Sequence, residues 1–278
     1  MSTETPLMDP PMLGIEPTLL IGTCWIERLK MFFSEEGRAS ISCLGAHVQY
    51  PREIVQMILY VKGAINFPSE MLPLAIDGVS SREFRYREEQ EFHRETGCRA
   101  LAKSSHVIVE ISSLNGVYIM NSDLVANLTS LSNFRKNQAS SNFINTPTVY
   151  AASERCIVKR YSKQDFLADI LRILALLGHR RVTLVSHFRA CNLRACKPAI
   201  GTSADDRVLL GLWVAEAAAL GGCLFVDQSD PVSRLGPNVA SKDSSRYSGT
   251  GEREMASLIE ATLHRSKPQD VRKWKSAA

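Results

Sequence analysis

One cysteine of this sequence stands where a cysteine can act as a nucleophile. Cys24 follows a short apolar run, residues 18–22, and opens a stretch whose apolar residues recur at helical spacing over 25–33. The free N–H groups at the start of a helix favour the thiolate form of a cysteine, which is its nucleophilic form. Cys24 is therefore a candidate for a covalent nucleophile, with Thr23 beside it as a candidate ligand contact. The alternative is that Cys24 is a small buried residue that fills the corner between strand and helix.

Two histidines and one aspartate are candidates for proton transfer. His187 comes directly after the apolar run 181–186, and His47 comes shortly after the run 39–44. Either imidazole can serve as a general base or contact a ligand, or it can be a hydrogen-bonded structural histidine. Asp243 lies in a polar segment before the last predicted helix, where it can orient a base or cap a turn.

Secondary-structure elements must bring these side chains together, and the sequence predicts an α/β fold in which a sheet does so. Five short apolar segments alternate with helical patterns; they are residues 18–22, 39–44, 106–111, 181–186 and 222–226. Strands of a parallel sheet have this apolar character because helices cover both faces. We predict a three-layer α/β/α sandwich with a mostly parallel five-stranded sheet, flavodoxin-like in layout.

The helices between these strands are predicted from their periodicity and end residues. Pro51 at the favoured first position begins a helix that extends to residue 61, and Ser162 caps another that ends at Gly178. Further helices are predicted over 25–33, 81–95, 205–220 and 250–264. Residues 115–132 are ambiguous, and the Asn- and Ser-rich residues 133–148 indicate a loop.

Length and composition indicate one domain and a reducing environment. The chain has 278 residues, 45% of them hydrophobic, and a formal charge of +4. We expect one domain over 17–266, between a Pro-rich flexible leader at 1–16 and a basic tail at 267–278. The number of cysteines, 7, is odd, and no signal sequence precedes them, so reduced thiols in the cytoplasm are expected.

Several function classes are disfavoured by what the sequence lacks. Cys191 and Cys196 have no second Cys/His pair at ligand spacing, so no metal site is predicted. No glycine-rich phosphate loop follows a predicted strand, and no cofactor is expected. The aromatic residues are not interleaved with the basic ones, and no apolar run is long enough to cross a bilayer. We therefore expect no nucleic-acid partner and no membrane partner.

Ligands of such a sheet bind outside the carboxyl ends of its strands. The candidate residues at these ends are Thr23, Cys24, Gly45, Ala46, His47, Ser112, Ser113, Asn115, Ser186, His187, Arg189, Asp227, Gln228, Ser229 and Asp230.

Four short blocks lie at or near these strand ends, and their order along the chain can be compared with that of known families. They are Leu20-Ile21-Gly22-Thr23-Cys24, Gly45, the segment 107–115 that ends in Asn115, and the segment 243–248 that begins with Asp243. Their order resembles that of the SGNH (GDSL-like) hydrolase superfamily, whose nucleophilic Ser lies in a Gly-Asp-Ser block. Cys24 stands at the nucleophile's place, as in GSCFA-like and capsule-biosynthesis acyltransferase-like members. The resemblance implies that Gly45 and Asn115 form an oxyanion hole.

The fourth block departs from the family pattern at its base. Where the family has Asp-x-x-His, this sequence has Asp243 and Arg246. An arginine cannot accept a proton at neutral pH, so these two residues cannot form an Asp–His dyad. His187 or His47 then takes the role of base, or Cys24 acts as a thiolate without one, or the fold binds its ligand without converting it.

Two functions follow from these alternatives. The resemblance implies an acyl transferase or esterase that acts on an acylated carbohydrate or secondary metabolite, with Cys24 as nucleophile. The alternative is an inactive module of the same fold that holds an anionic ligand through Arg189, Arg207 and Arg246. In both, the expected partner is a small acyl or sugar-like molecule.

Overall fold

The computed structural model of the chain describes residues 16–68, 71–76, 86–137, 147–187, 204–243 and 246–265. In chain order, the strands are β1 (Thr18–Gly22), β2 (Ile41–His47), β3 (His106–Ile111), β4 (Asn115–Ile119), β5 (Val125–Ala126), β6 (Cys156–Arg160), β7 (Arg181–Ser186), β8 (Leu224–Asp227), β9 (Ser241–Asp243) and β10 (Arg246–Tyr247). The helices are α1 (Cys24–Leu29), α2 (Glu35–Ser40), α3 (Pro51–Val61), α4 (Leu72–Ala75), α5 (Tyr86–Lys103), α6 (Leu128–Asn137), α7 (Pro147–Glu154), α8 (Lys163–Leu177), α9 (Ala204–Gly221), α10 (Asp230–Leu235), α11 (Pro237–Ala240) and α12 (Gly249–Arg265), with a 3-10 helix at Lys30–Phe32.

The five predicted strands form one parallel sheet with the order β2-β1-β3-β7-β8. Helices α3, α5, α8 and α9 pack on one face of this sheet, and α1 and α12 pack on the other. The three-layer α/β/α sandwich predicted from the sequence is therefore confirmed. In this flavodoxin-like order the chain changes direction between β1 and β3, and ligands of such sheets bind at that point.

Burial on both faces explains the apolar strands. Successive residues of a strand point to opposite faces, so Leu19 and Ile21 enter the core under α3 and α8, whereas Leu20 enters the core under α1 and α12. Each fully buried aliphatic side chain contributes about 1.5–3 kcal/mol through removal from water. An ion pair between Arg28 and the buried Glu252, at 3.2 Å, also joins α1 to α12.

The predicted helix ends on the α3 and α8 side are also confirmed. Pro51 is the first residue of α3, where its missing N–H costs nothing. The Ser162 hydroxyl accepts the Asp165 N–H at 3.1 Å and so caps α8. At the other end Gly178 adopts a φ of 68°, which a residue without Cβ does readily.

A small antiparallel sheet, with the order β5-β4-β6, was not predicted from the sequence. Its strands β4 and β5 lie within the ambiguous residues 115–132, whose last part belongs to α6, and β6 was not expected at all. The expected loop over 133–148 is also wrong in part, because α6 extends to Asn137 and α7 begins at Pro147. The charged helix predicted over 81–95 continues to Lys103.

The second strand is longer than predicted and irregular. Sequence reasoning ended it at residue 44, but β2 continues to His47. Leu20 pairs with Cys43, and Gly22 pairs with His47, so four steps along β2 match two steps along β1. Such an insertion bends a strand and redirects a side chain. Here it places His47 beside the end of β1.

Candidate functional site

A buried carboxylate lies at the point where the sheet changes direction. Glu110, near the end of β3, is 0% exposed. Its Oε2 accepts two hydrogen bonds from one residue at the end of β1, from Thr23 N at 2.9 Å and from Thr23 Oγ1 at 2.7 Å. Glu110 shares a strand face with Ile108, the face covered by α1 and α12. The carboxylate therefore lies directly below the turn that leads into α1.

The other oxygen of the same carboxylate binds residues that follow β7 and β8. Glu110 Oε1 lies 3.1 Å from His187 Nδ1 and 3.1 Å from Gln228 Nε2. His187 directly follows β7, and Gln228 directly follows β8. One side chain thus joins the ends of four parallel strands through charge-assisted hydrogen bonds.

These bonds keep Glu110 ionised. Burial alone would raise the pKa of the Glu110 carboxyl, but hydrogen bonds from His187 and Thr23, together with the charge of His187, outweigh burial and hold that pKa below its usual value. An ionised carboxylate only accepts hydrogen bonds, so the Nδ1 of His187 carries the proton. The basic lone pair of a neutral His187 is then on Nε2, as in a histidine that acts as general base.

The close approach of β1 to Glu110 depends on a glycine. A Cβ added to Gly22 would lie 2.7 Å from Glu110 Cβ, 2.8 Å from Glu110 Oε2 and 2.9 Å from Ile26 Cγ2. Real Cβ atoms do not tolerate such contacts, so a larger residue would push the turn away from the carboxylate.

Cys24 is the first residue of α1 and is exposed. Thr23 is the N-cap, and its hydroxyl accepts the Trp25 N–H at 3.3 Å while it donates to Glu110. The exposure contradicts the alternative that Cys24 is a buried filler of the corner. Within the described part of the chain, its thiol makes no hydrogen bond to an imidazole. Hydrogen bonds between catalytic groups are often long before substrate binds.

A second imidazole–carboxylate pair flanks the other side of the turn. His47 Nε2 lies 3.2 Å from Glu27 Oε2, and both side chains are about one third exposed, at 33% and 30%. The main chain holds His47 in place, because Val48 N donates to Gly22 O at 2.9 Å and Asn127 Nδ2 donates to His47 O at 2.7 Å.

The remaining predicted site residues are more dispersed. Gly45 lies inside β2 rather than after it, which corrects the predicted strand end. Asn115 begins β4 of the small sheet, pairs with Arg160 and donates its N–H to Ser113 Oγ at 2.9 Å. Arg207, in the first turn of α9, is only 5% exposed, and burial lowers the pKa of its guanidinium.

Three further candidates are described in part or not at all. Asp243 and Arg246 pair through their main chains in the hairpin of β9 and β10, and their side chains lie outside the described part. Arg189 lies outside the described residues, as do Cys191 and Cys196.

Sequence reasoning missed the partner residues Glu110 and Glu27, and the contact of Gln228 with Glu110. One sequence feature pointed to Glu110, which is the only acidic residue of the otherwise apolar segment 106–111. A buried carboxylate is costly unless it is hydrogen-bonded or paired, so its presence in such a strand indicates partners at the strand end. Glu27 gave no comparable indication, because an acidic residue in the first turn of a helix is common.

No protein-family model matches the chain, and no curated protein matches it. Among the residues described, no group of three or more His, Cys, Asp and Glu side chains is placed to hold a metal ion. No helix in the described ranges has the length and apolar character needed to cross a bilayer.

The groups at this site are those that proton transfer beside a thiol would require. An ionised carboxylate fixes an imidazole whose Nε2 is basic, and an exposed cysteine follows the threonine that binds the same carboxylate. A nucleophile, a base and a third group that orients the base are the parts of a covalent catalytic site.

Proposed function

We propose that this protein is an SGNH-like acyl transferase or esterase that acts on an acylated carbohydrate or secondary metabolite through Cys24. The observation that carries the proposal is the pair of His187 and Glu110, joined at 3.1 Å at the direction change of the sheet. The pair supplies the base that Arg246 cannot supply.

The proposed reaction begins with transfer of the Cys24 proton to His187 Nε2. The thiolate attacks the acyl carbonyl carbon, and Glu110 stabilises the imidazolium that forms. His187 then returns the proton to the leaving oxygen, and the acyl group remains on Cys24 as a thioester. Water or an alcohol releases it. The family resemblance adds the Gly45 N–H and the Asn115 amide as donors to the oxyanion.

Two thiols that are exposed in the described part of the chain allow a sharp test of Cys24. Cys24 and Cys98 are both exposed, but Cys98 lies on α5, away from the strand-end residues of the site. We expect iodoacetamide to label Cys24 faster than Cys98, because a nearby base generates thiolate. We also expect Cys24→Ala to abolish hydrolysis of p-nitrophenyl acetate, and Cys98→Ala to leave it unchanged.

The variant His187→Ala tests whether His187 is the base that activates Cys24. It should slow the labelling of Cys24 and leave the labelling of Cys98 unchanged. Equal labelling of both thiols in every variant, or full turnover by Cys24→Ala, would contradict the proposal. Absence of turnover together with thermal stabilisation by phosphate that survives Cys24→Ala would instead favour the module that binds anions without converting them.

A further inference from the structure

Two imidazole–carboxylate pairs flank the end of β1 on opposite sides. The sheet order places β2 on one side of β1, with β3 and then β7 on the other. His47 is on the β2 side, opposite Gly22, whereas His187 follows β7. The turn that carries Cys24 therefore lies between them.

The β2-side pair is tied to the helix that carries Cys24. Glu27 follows Cys24 by three residues in α1, and residues at this spacing are neighbours on one helix face. The 3.2 Å contact of His47 with Glu27 thus places an imidazole on the helix face that bears the thiol. Asn127, which is 0% exposed, donates a hydrogen bond to the main-chain oxygen of His47. The imidazole therefore extends from a main-chain position that is held in place.

The two pairs differ in their access to solvent. The His187 side chain is 14% exposed above a fully buried carboxylate, whereas the His47 side chain is 33% exposed above a carboxylate that is 30% exposed. A base that activates a molecule arriving from solution must be reachable from solution. A base that serves a cysteine of the same chain needs no such access.

We propose that His47, oriented by Glu27, is the base of the second half-reaction and activates the acceptor that removes the acyl group from Cys24. This inference rests on the proposed function. When His47 Nε2 donates its proton to Glu27, the basic lone pair is on Nδ1. The acceptor is water or the hydroxyl of a carbohydrate, which approaches from the β2 side.

The step balances without a further reactant. The acceptor O–H loses its proton to His47 as its oxygen forms a bond to the thioester carbonyl carbon. The tetrahedral intermediate collapses, the C–S bond breaks, and Cys24 leaves as a thiolate with the electron pair. The proton on the imidazolium of His47 is then returned to Cys24 through solvent, and the product is a carboxylic acid or a new ester.

The test separates the two half-reactions with p-nitrophenyl acetate in rapid-mixing experiments. In His47→Gln we expect an undiminished first-turnover burst of p-nitrophenolate and a steady-state rate lower by about 10²-fold, within the range for loss of a general base. Mass spectrometry should find the acetyl group retained on Cys24. Hydroxylamine, which attacks thioesters without a base, should restore turnover.

Two variants serve as partner and control. Glu27→Gln should lower the same steady-state phase by a smaller factor, and His264→Ala, at an exposed position of α12, should alter neither phase. A burst that falls together with the steady-state rate in His47→Gln, or two unchanged phases, would overturn the inference alone. Absence of an acetyl adduct on Cys24 in both the unaltered protein and His47→Gln would overturn the proposed function, and the inference with it.

Discussion

A carboxylate as deeply buried as Glu110 is stable only if hydrogen bonds replace the water that it has lost. Four donors surround it, two from Thr23 and one each from His187 and Gln228. Removal of the charge has two consequences, because the same carboxylate holds the sheet ends together and orients the proposed base.

Glu110→Gln tests both consequences. The amide of the new glutamine has a nitrogen at one of the two oxygen positions, and this nitrogen cannot accept the hydrogen bonds that reach it there. Each buried donor left without an acceptor costs about 1–3 kcal/mol. We expect urea unfolding to show a loss of about 2–3 kcal/mol in the free energy of unfolding. The His187-dependent labelling of Cys24 should be lost as well.

Glu27→Gln is the matched control for the stability effect. The Glu27–His47 pair is partly exposed, and such pairs contribute about 0–1 kcal/mol. A loss of stability as small in Glu110→Gln as in Glu27→Gln would contradict the role of Glu110 at the sheet ends.

Single residues were predictable where local sequence determines their environment. Cys24 and His187 were placed correctly at strand ends, because apolar runs end visibly in the sequence. Their carboxylate partners were not, because Glu110 lies 77 residues from His187 and its contacts depend on which strands become neighbours. No local pattern contains that information.

At the scale of elements, the junction of β1 with α1 can be tested through Gly22. In Gly22→Ala the added methyl group would overlap Glu110 and Ile26, and both are held by the sheet and its helix layer. Overpacking of this kind typically costs about 1–3 kcal/mol. We expect a lower urea midpoint and slower labelling of Cys24, because the turn moves away from Glu110.

Gly249→Ala is a suitable comparison for this change. Gly249 begins α12, and no atom of the described residues lies within 4 Å of the position where its Cβ would be. We expect Gly249→Ala to change the free energy of unfolding by less than about 0.5 kcal/mol, as surface substitutions in general do. Equal effects of the two substitutions would show that the close approach at Gly22 is unimportant.

Secondary-structure elements were predictable from the sequence when they bury a continuous apolar run. Strand β6, which has no such run, was not predicted. The five strands of the large sheet bury such a run, whereas β6 exposes Val158, Lys159 and Arg160 at the edge of the small sheet. The extension of β2 was missed for another reason. Its insertion at Gly45 and Ala46 appears only when β2 is paired with β1.

At the scale of the whole molecule, the end of the large sheet opposite the site contains a buried histidine that makes stability depend on pH. His106 begins β3 at the end opposite the site, is 1% exposed and lies 2.8 Å from Thr183 Oγ1 through its Nε2. Burial, with a smaller effect from the charge of Arg181, lowers the pKa of His106 to about 4. In the unfolded chain a histidine has a pKa of about 6.5.

The unfolded chain therefore binds more protons than the folded one between these two pKa values, so acid favours unfolding there. Stability from this group is constant above pH 6.5, falls as the pH is lowered towards 4, and by then is reduced by about 3 kcal/mol. His106→Gln should flatten this dependence in urea titrations between pH 7.5 and pH 4.5. The exposed His264→Gln should leave it unchanged, and an unchanged slope in His106→Gln would contradict the assignment.

The layered architecture was predictable from the alternation of strands and helices, but the strand order was not. Alternation requires only that successive strands be joined by helices, and it leaves open which strands become neighbours. The order β2-β1-β3-β7-β8 is what brings residues 23, 110, 187 and 228 to one place.

The dispersal of these four positions along the chain also affects biosynthesis. A ribosome that has translated as far as β6 has produced Cys24 and Glu110, but neither His187 nor Gln228. Until β7 and β8 emerge and dock, the Glu110 carboxylate lacks two of its four donors. A nascent or prematurely terminated chain thus carries an exposed thiol without its proposed base. On the proposed function, Cys24 therefore becomes reactive only after β7 and β8 have been synthesised and have docked.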